Sequence, residues 1–303
     1  VKVLVTGASG FIGRRVVARL VRDGRFEIIA ASRRSDPQLP PGVRHEAADL
    51  LAPGAAADLV DRTRPTHLIH LAWNATPGVF WNAPDNLDWT AATLSLVRAF
   101  ARAGGRRATL AGTCAEYDWT DGGTLSETSP IGPATFYGVA KDATRRLVCG
   151  FGERHDVSIA WGRVFWLYGP GEAPGRLVSD VCRSLLEGRP VETSHGRQIR
   201  DFMHVDDVAG AFVTSLESDW RGPFNIGSGD GVAVREVLEA LGDAAGRPEL
   251  IEFGKRPTAP NDPALLACDA AVLRERIGFS SEHALRDGLR ETYAWWARRL
   301  GAS

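Results

Sequence analysis

Tyr137 and Lys141 stand four residues apart in a chain of 303 residues that has four tyrosines and three lysines. On a helix that spacing puts both side chains on one face. An ammonium beside a phenol lowers the phenol's pKa, which predicts for Tyr137 an acid or base usable near neutral pH. Upstream, Thr113 closes a predicted strand, which places its hydroxyl within reach of the phenol. Hydroxyl, phenol and lysine together can move a proton on or off a sugar-like carbinol while hydride passes to or from a nicotinamide. The competing reading is an ordinary helical surface pair. Lysine is scarce here, since 33 of the 36 basic side chains are arginines. A position that needed only charge would be expected to hold arginine, so a compact ammonium at 141 is informative.

A second cluster is Gly7-Ala8-Ser9-Gly10-Phe11-Ile12-Gly13. It follows a β-branched run, residues 2–6, and opens a helical pattern at residues 11–21. In that position backbone amides and a helix N-terminus face a dinucleotide pyrophosphate, with no side chain in the way. A tight turn with close helix–strand packing is the purely structural alternative. About 20 residues later, where an acid would accept hydrogen bonds from a ribose 2′-hydroxyl, the chain has Ser32-Arg33-Arg34. A guanidinium fork suits a 2′-phosphate, so NADP is favoured over NAD. A solvated arginine pair is the alternative. Asp49-Leu50 is expected at the adenine edge.

The elements that must position these groups alternate. Strands are expected at residues 2–6, 27–31, 43–47, 67–72, 108–112 and 157–167, with helices at 11–21, 55–63, 86–103 and 136–154. That rhythm implies βαβ units and a parallel sheet buried on both faces. After Pro170 the pattern changes to shorter elements, with a helix at 177–187; a helix at 205–216 and a strand at 223–226 look able to rejoin the first sheet. The expected fold is thus α/β, a Rossmann doubly wound parallel sheet with a smaller, mostly C-terminal lobe. The nucleotide-binding unit is read as residues 1–170 with 202–227 rejoining, and the substrate lobe as 171–201 and 228–303. A formal net charge of −1 argues against a broad nucleic-acid footprint. No apolar stretch reaches the ~18 residues a spanning helix needs, and the first residues run straight into a strand, which disfavours membrane or secreted readings. Cys114, Cys149, Cys182 and Cys268 are widely spaced with no Cys-x-x-Cys pair, so free thiols in the cytoplasm are expected, and neither disulfides nor a metal site.

Thr6-Gly7-x-x-Gly10-x-x-Gly13, the Thr113 strand end and Tyr137-x-x-x-Lys141 resemble the extended short-chain dehydrogenase/reductase family. Arg163-Val-Phe-Trp-Leu-Tyr168-Gly-Pro170, Arg200-Asp-Phe-Met-His204-Val-Asp206-Asp207-Val and Phe224-Asn225-Ile-Gly227 are similar to its nucleotide-sugar branch, the NAD-dependent epimerase/dehydratase group. The resemblance runs in order from about residue 1 to about residue 273. It implies that Tyr137 is the catalytic acid/base, that Lys141 lowers its pKa and holds the nicotinamide ribose, and that Thr113 hydrogen-bonds the reacting oxygen. Tyr137 and Lys141 then also touch the cofactor, together with Leu71, Ala72 and Trp73. Asn74, Trp81, Cys114, Trp166 and Arg200 fall on the substrate side, Arg200 against the diphosphate of an NDP-sugar. A homodimer built on helices 86–103 and 136–154 is also implied.

Departures from the pattern narrow the reaction. Dehydratases of the group are similar in following the threonine with an acidic pair; here Cys114 and Ala115 follow, and alanine transfers no proton. Glu116 comes one place late, which on a strand points it to the other face; a polar residue near the surface is the expectation. Decarboxylases, which resemble each other in carrying a glutamate after the threonine, are disfavoured for the same reason. An NADPH-dependent 4-ketoreductase acting on an NDP-4-keto-6-deoxyhexose is the preferred reading, supported by Arg33, Arg34 and Trp166. Trp166 stands where many epimerases of the group have asparagine. A 4-epimerase with tightly held NAD is the alternative. A cofactor sensor without chemistry is a third reading, opposed by the intact Tyr137–Lys141 pair. Trp73, Phe80, Trp81 and Trp119 suggest aromatic walls around a small, deoxygenated sugar.

Overall fold

The computed structural model describes residues 1–34, 36, 39–259 and 262–301. Its first half runs β1 (Lys2–Thr6), α1 (Phe11–Asp23), β2 (Glu27–Ser32), β3 (Arg44–Ala47), α2 (Ala55–Thr63), β4 (His67–His70), α3 (Asn86–Arg102) and β5 (Arg107–Thr113). There follow β6 (Gly123–Leu125), α4 (Phe136–Arg154), β7 (Ser158–Val164), β8 (Trp166–Tyr168), α5 (Leu177–Leu186), β9 (Val191–Glu192) and β10 (Ile199–His204). The chain ends with α6 (Val205–Glu217), β11 (Gly222–Ile226), β12 (Gly231–Ala233), α7 (Val234–Ala245), β13 (Ile251–Glu252), β14 (Leu265–Cys268) and α8 (Leu285–Leu300).

Seven strands form one parallel sheet in the order β11-β7-β5-β4-β1-β2-β3. Val3, Leu4 and Val5 of β1 are wholly buried because helices cover both faces. α1 and α6 pack on one side with Val16, Leu20, Val208 and Phe212; α2, α3 and α4 supply the other core with Leu59, Leu96, Phe100 and Val148. This is the doubly wound Rossmann arrangement. Its strand order reverses between β1 and β4, and a crevice opens there at the carboxyl ends of the strands. Gly7, Ser32, Leu71 and Thr113 all lie at those ends. Gly7 has φ +70°, and a Cβ on it would come within 2.7 Å of the Ala72 nitrogen, so glycine lets the two strand ends approach.

The run at 157–167, read from sequence as one strand, is two. β7 ends at Val164; Phe165 donates its N–H to the Ile226 carbonyl (2.9 Å), and Trp166–Tyr168 then pairs with Phe202–His204 of β10. The apolar run is continuous because both halves are covered, and hydrophobicity alone does not reveal the change of sheet. Trp166 thereby joins a second sheet, β12-β10-β14-β6, on which α5, α7 and α8 build a separate core around Leu185, Leu238, Leu241 and Leu289. Among the described residues no helix is long and apolar enough to cross a membrane.

Candidate active site

α4 starts at Thr135, whose hydroxyl accepts the Gly138 N–H (3.1 Å) and caps the helix. Tyr137 is therefore in the first turn and Lys141 in the next. A Cβ on Gly138 would lie 2.3 Å from the Ala115 carbonyl oxygen, so only glycine allows this turn to press on the strand end that carries Thr113. Thr113, the last residue of β5, accepts the Ala115 N–H on its hydroxyl (3.2 Å) and stands beside the Tyr137 phenol.

Behind this contact lies a polar group that sequence placed wrongly. Glu116 is fully buried, not near the surface. Its Oε1 accepts the Thr113 N–H (2.9 Å) and the Trp161 indole N–H (2.8 Å), and its Oε2 pairs with Arg163 (2.8 Å). Arg163 in turn donates to the Tyr117 hydroxyl (2.9 Å). The carboxylate is committed to four groups of the scaffold, counting Arg145 at 3.7 Å. Residues 114–116 leave the strand in one helical turn, so strand alternation does not apply, and the carboxylate is buried among scaffold groups. The only local signal was the spacing of a capping box, Thr113 to Glu116.

The Lys141 ammonium is buried, donates to the Ala111 carbonyl (2.8 Å), and has the face of Trp73 at 3.7 Å. Burial pushes its pKa down to about 7, against the pull of the Glu116 carboxylate. For Tyr137 burial drives the phenol's pKa up, with the Thr113 hydroxyl pulling the other way. The expected lowering by Lys141 does not enter here: the ammonium, 5.9 Å from the phenol ring centre, is turned to the Ala111 carbonyl and Trp73, and burial sets the direction. Phe80 (4.9 Å), Trp81 (5.9 Å) and Trp73 (6.4 Å) meet the Tyr137 ring edge-on and wall the site with apolar surface.

From Trp73 a cleft of about 500 Å³ runs along the carboxyl ends of the strands. Gly7, Ser9, Gly10, Ser32, Arg33, Leu50, Leu71, Ala72, Trp73 and Asn74 line it. Phe11, Ile12, Gly13, Arg34, Asp49, Tyr137 and Lys141 do not, although Lys141 lies behind Trp73 at its end. Ile12 packs against the core, Gly13 is buried, and the Asp49 carboxylate turns back to the Leu51 N–H (3.2 Å). The sequence reading missed Thr6, Ala31, Ala48, Asp85 and Trp89 in the lining; Thr6 and Ala31 were findable as strand ends beside the glycines. Gly10 is the N-cap of α1 without a side-chain cap, and no acid occupies the first turn, so free amides and the helix dipole face the cleft. This wall fits a dinucleotide diphosphate.

Of the substrate-side residues, Cys114, Trp166 and Arg200 form a second group with Trp119, whereas Trp81 borders Tyr137 and Asn74 lies in the dinucleotide cleft, not on the expected substrate side. Trp166 and Trp119 pack at 5.9 Å, Trp119 donates to the Cys114 carbonyl (2.9 Å), and the Arg200 guanidinium lies 5.4 Å from the Trp166 ring centre. Arg200 is ion-paired with Asp262. Asn74 is tied to Asp85 (2.9 Å).

Comparison with known proteins agrees with this geometry. The family model described as "NAD dependent epimerase/dehydratase family" matches residues 3–227. UDP-glucose 4-epimerase of Azospirillum brasilense is 29% identical, covering 100% of this chain and 93% of its own length. The solved structure of MoeE5 in complex with UDP-glucose and NAD is 33% identical with a TM-score of 0.83, covering 99% of this chain and 100% of that one. UDP-glucose 4-epimerase of Thermus thermophilus in complex with NAD is 27% identical with a TM-score of 0.86, covering 98% and 99%. With 225 consecutive residues matched from the glycine-rich turn to the last strand of the parallel sheet, the chain belongs to the NAD-dependent epimerase/dehydratase family.

Proposed function

We propose that the protein is an NADPH-dependent 4-ketoreductase acting on an NDP-4-keto-6-deoxyhexose. The observation that carries this reading over an epimerase is Arg33 at the cleft with Ser32 in place of an acid; the polar inventory beside Tyr137 fits either reaction and opposes a dehydratase or decarboxylase. Thr113, Tyr137 and Lys141 suffice to exchange one proton at a carbinol oxygen, whereas Ala115 offers no acid and Glu116 is engaged by Thr113, Trp161 and Arg163. Elimination or decarboxylation would need a further acid or base. Arg33 at the edge of the cleft, with Ser32 in place of an acid, favours the 2′-phosphate of NADP.

A dinucleotide held along Gly7, Gly10 and Arg33 would supply hydride for C4 of the sugar. Tyr137 releases its phenolic proton to O4 as the carbonyl becomes a carbinol, and Thr113 holds that oxygen. Burial keeps the Tyr137 proton in place until negative charge develops on O4. Lys141, held by the Ala111 carbonyl and the face of Trp73, would meet the ribose, and solvent returns the proton to the phenol once the product leaves. Arg200 binds the sugar diphosphate in exchange for Asp262, and Cys114 and Trp166 border the sugar and nucleotide. Phe80 and Trp81 favour a deoxygenated ring. All four cysteines are free thiols, and we assign the reaction to the cytoplasm.

The relatives favour a second reading, a UDP-sugar 4-epimerase that keeps NAD bound and returns hydride to the same sugar. Purified protein given an NDP-4-keto-6-deoxyhexose and NADPH separates the two. The reductase consumes one NADPH per product. Interconversion of UDP-glucose and UDP-galactose without added cofactor, with NAD released on denaturation, makes it the epimerase.

A further inference from the structure

Two buried side-chain atoms on one wall of the cleft have no hydrogen-bond partner. One is an acceptor, Asp85 Oδ1; the other is a donor, the Trp89 indole N–H. Their polar neighbours are all satisfied. Trp73 donates to Asn86 Oδ1 (2.8 Å), Asn74 donates to the other Asp85 oxygen (2.9 Å), and the Asn86 amide donates to the Phe80 and Ala83 carbonyls. A buried polar atom left unpaired costs stability, so two of opposite kind in one cleft call for a ligand that offers both partners.

Their positions are fixed. Asp85 is the N-cap of α3, Trp89 lies four residues on, and the Trp89 backbone N–H donates to the Asp85 carbonyl (2.9 Å). Both side chains leave the same face of the first turn. The Trp89 ring stacks with Trp73 at 6.3 Å, which holds its edge in place. The same cleft is lined by Gly7 and Gly10, at the open N-terminus of α1, and by Arg33.

We propose that Trp89 and Asp85 are cofactor-binding residues, the indole N–H donating to a diphosphate oxygen and Asp85 Oδ1 accepting a ribose hydroxyl. The charges decide which partner each takes. A carboxylate beside a diphosphate oxygen is repelled, whereas a hydroxyl proton suits it; an indole can only donate, and an oxyanion is its best acceptor. The inference rests on the dinucleotide reading above.

Calorimetric titration of the full chain with NAD+, NADP+ and ADP-ribose tests it, comparing wild type with Trp89→Phe, Trp89→Gln and Asp85→Ala. Loss of one hydrogen bond predicts binding weakened about two- to tenfold in Trp89→Phe and Asp85→Ala for all three ligands. Trp89→Gln, which returns an N–H donor without the indole, recovers part of the loss. Phe and Ala variants that bind as tightly as wild type overturn the inference and leave the dinucleotide reading standing. A Gln variant no better than Phe also overturns it, by tracing the loss to the broken Trp73 stack. Wild type that binds none of the three ligands removes the dinucleotide reading and this inference together.

Discussion

Tyr137 and Lys141 show how far residue types carry and where burial takes over. Their spacing in the sequence put both on one helix beside Thr113; the sign of the Tyr137 shift did not follow, because desolvation depends on Trp73, Phe80 and Trp81 closing over the pair. Replacing Tyr137 with Phe removes the proton donor and leaves the ring, so turnover should fall by at least ~10²-fold while cofactor affinity holds; single-turnover kinetics and a binding titration check both halves. His70 gives a pH prediction at the same scale. It is locked between the Thr6 hydroxyl (2.7 Å) and the Thr93 hydroxyl (2.9 Å), and burial, aided by the Lys141 charge, pushes its pKa down to about 3. The folded protein holds it neutral while the unfolded chain takes a proton below about 6.5. Its contribution is therefore complete above that pH and is lost as pH falls towards 3, on the order of a few kcal/mol. Denaturant melts across pH 7 to 4 should show a steeper loss in wild type than in His70→Gln.

At the scale of elements, the turn between β5 and α4 matters most. Glu116 joins the Thr113 backbone to Trp161 and Arg163 on β7, so Thr113 is held by residues 45 and 47 positions away from that glutamate. That link could not be read from a local pattern, and neither could the break at Phe165 that sends Trp166 to the second sheet. Strand and helix spans such as 55–63 and 136–154 were legible because their periodicity is local. Glu116→Ala leaves Arg163, itself almost wholly buried, without its partner. Removing one member of a buried pair costs ~3–5 kcal/mol. A thermal melt should register a drop on the order of 10 °C; an unchanged Tm would show that the pair is not what secures the turn.

For the whole molecule, the parallel sheet and its crevice followed from alternating strands and helices, while the reaction did not follow from the fold. α3 and α4 carry Leu87, Val139 and Leu147 at 63%, 46% and 55% exposure, an apolar face on the pair of helices next to the site. We propose that this face forms a homodimer; sedimentation at micromolar concentration should give about twice the chain mass, and Leu147→Glu should shift it to the monomer. NADPH deuterated at the transferring position, offered with an NDP-4-keto-6-deoxyhexose, should place one deuterium on C4 of the sugar with wild type and almost none with Tyr137→Phe, read by mass spectrometry. A sugar product free of deuterium with wild type would exclude the ketoreductase.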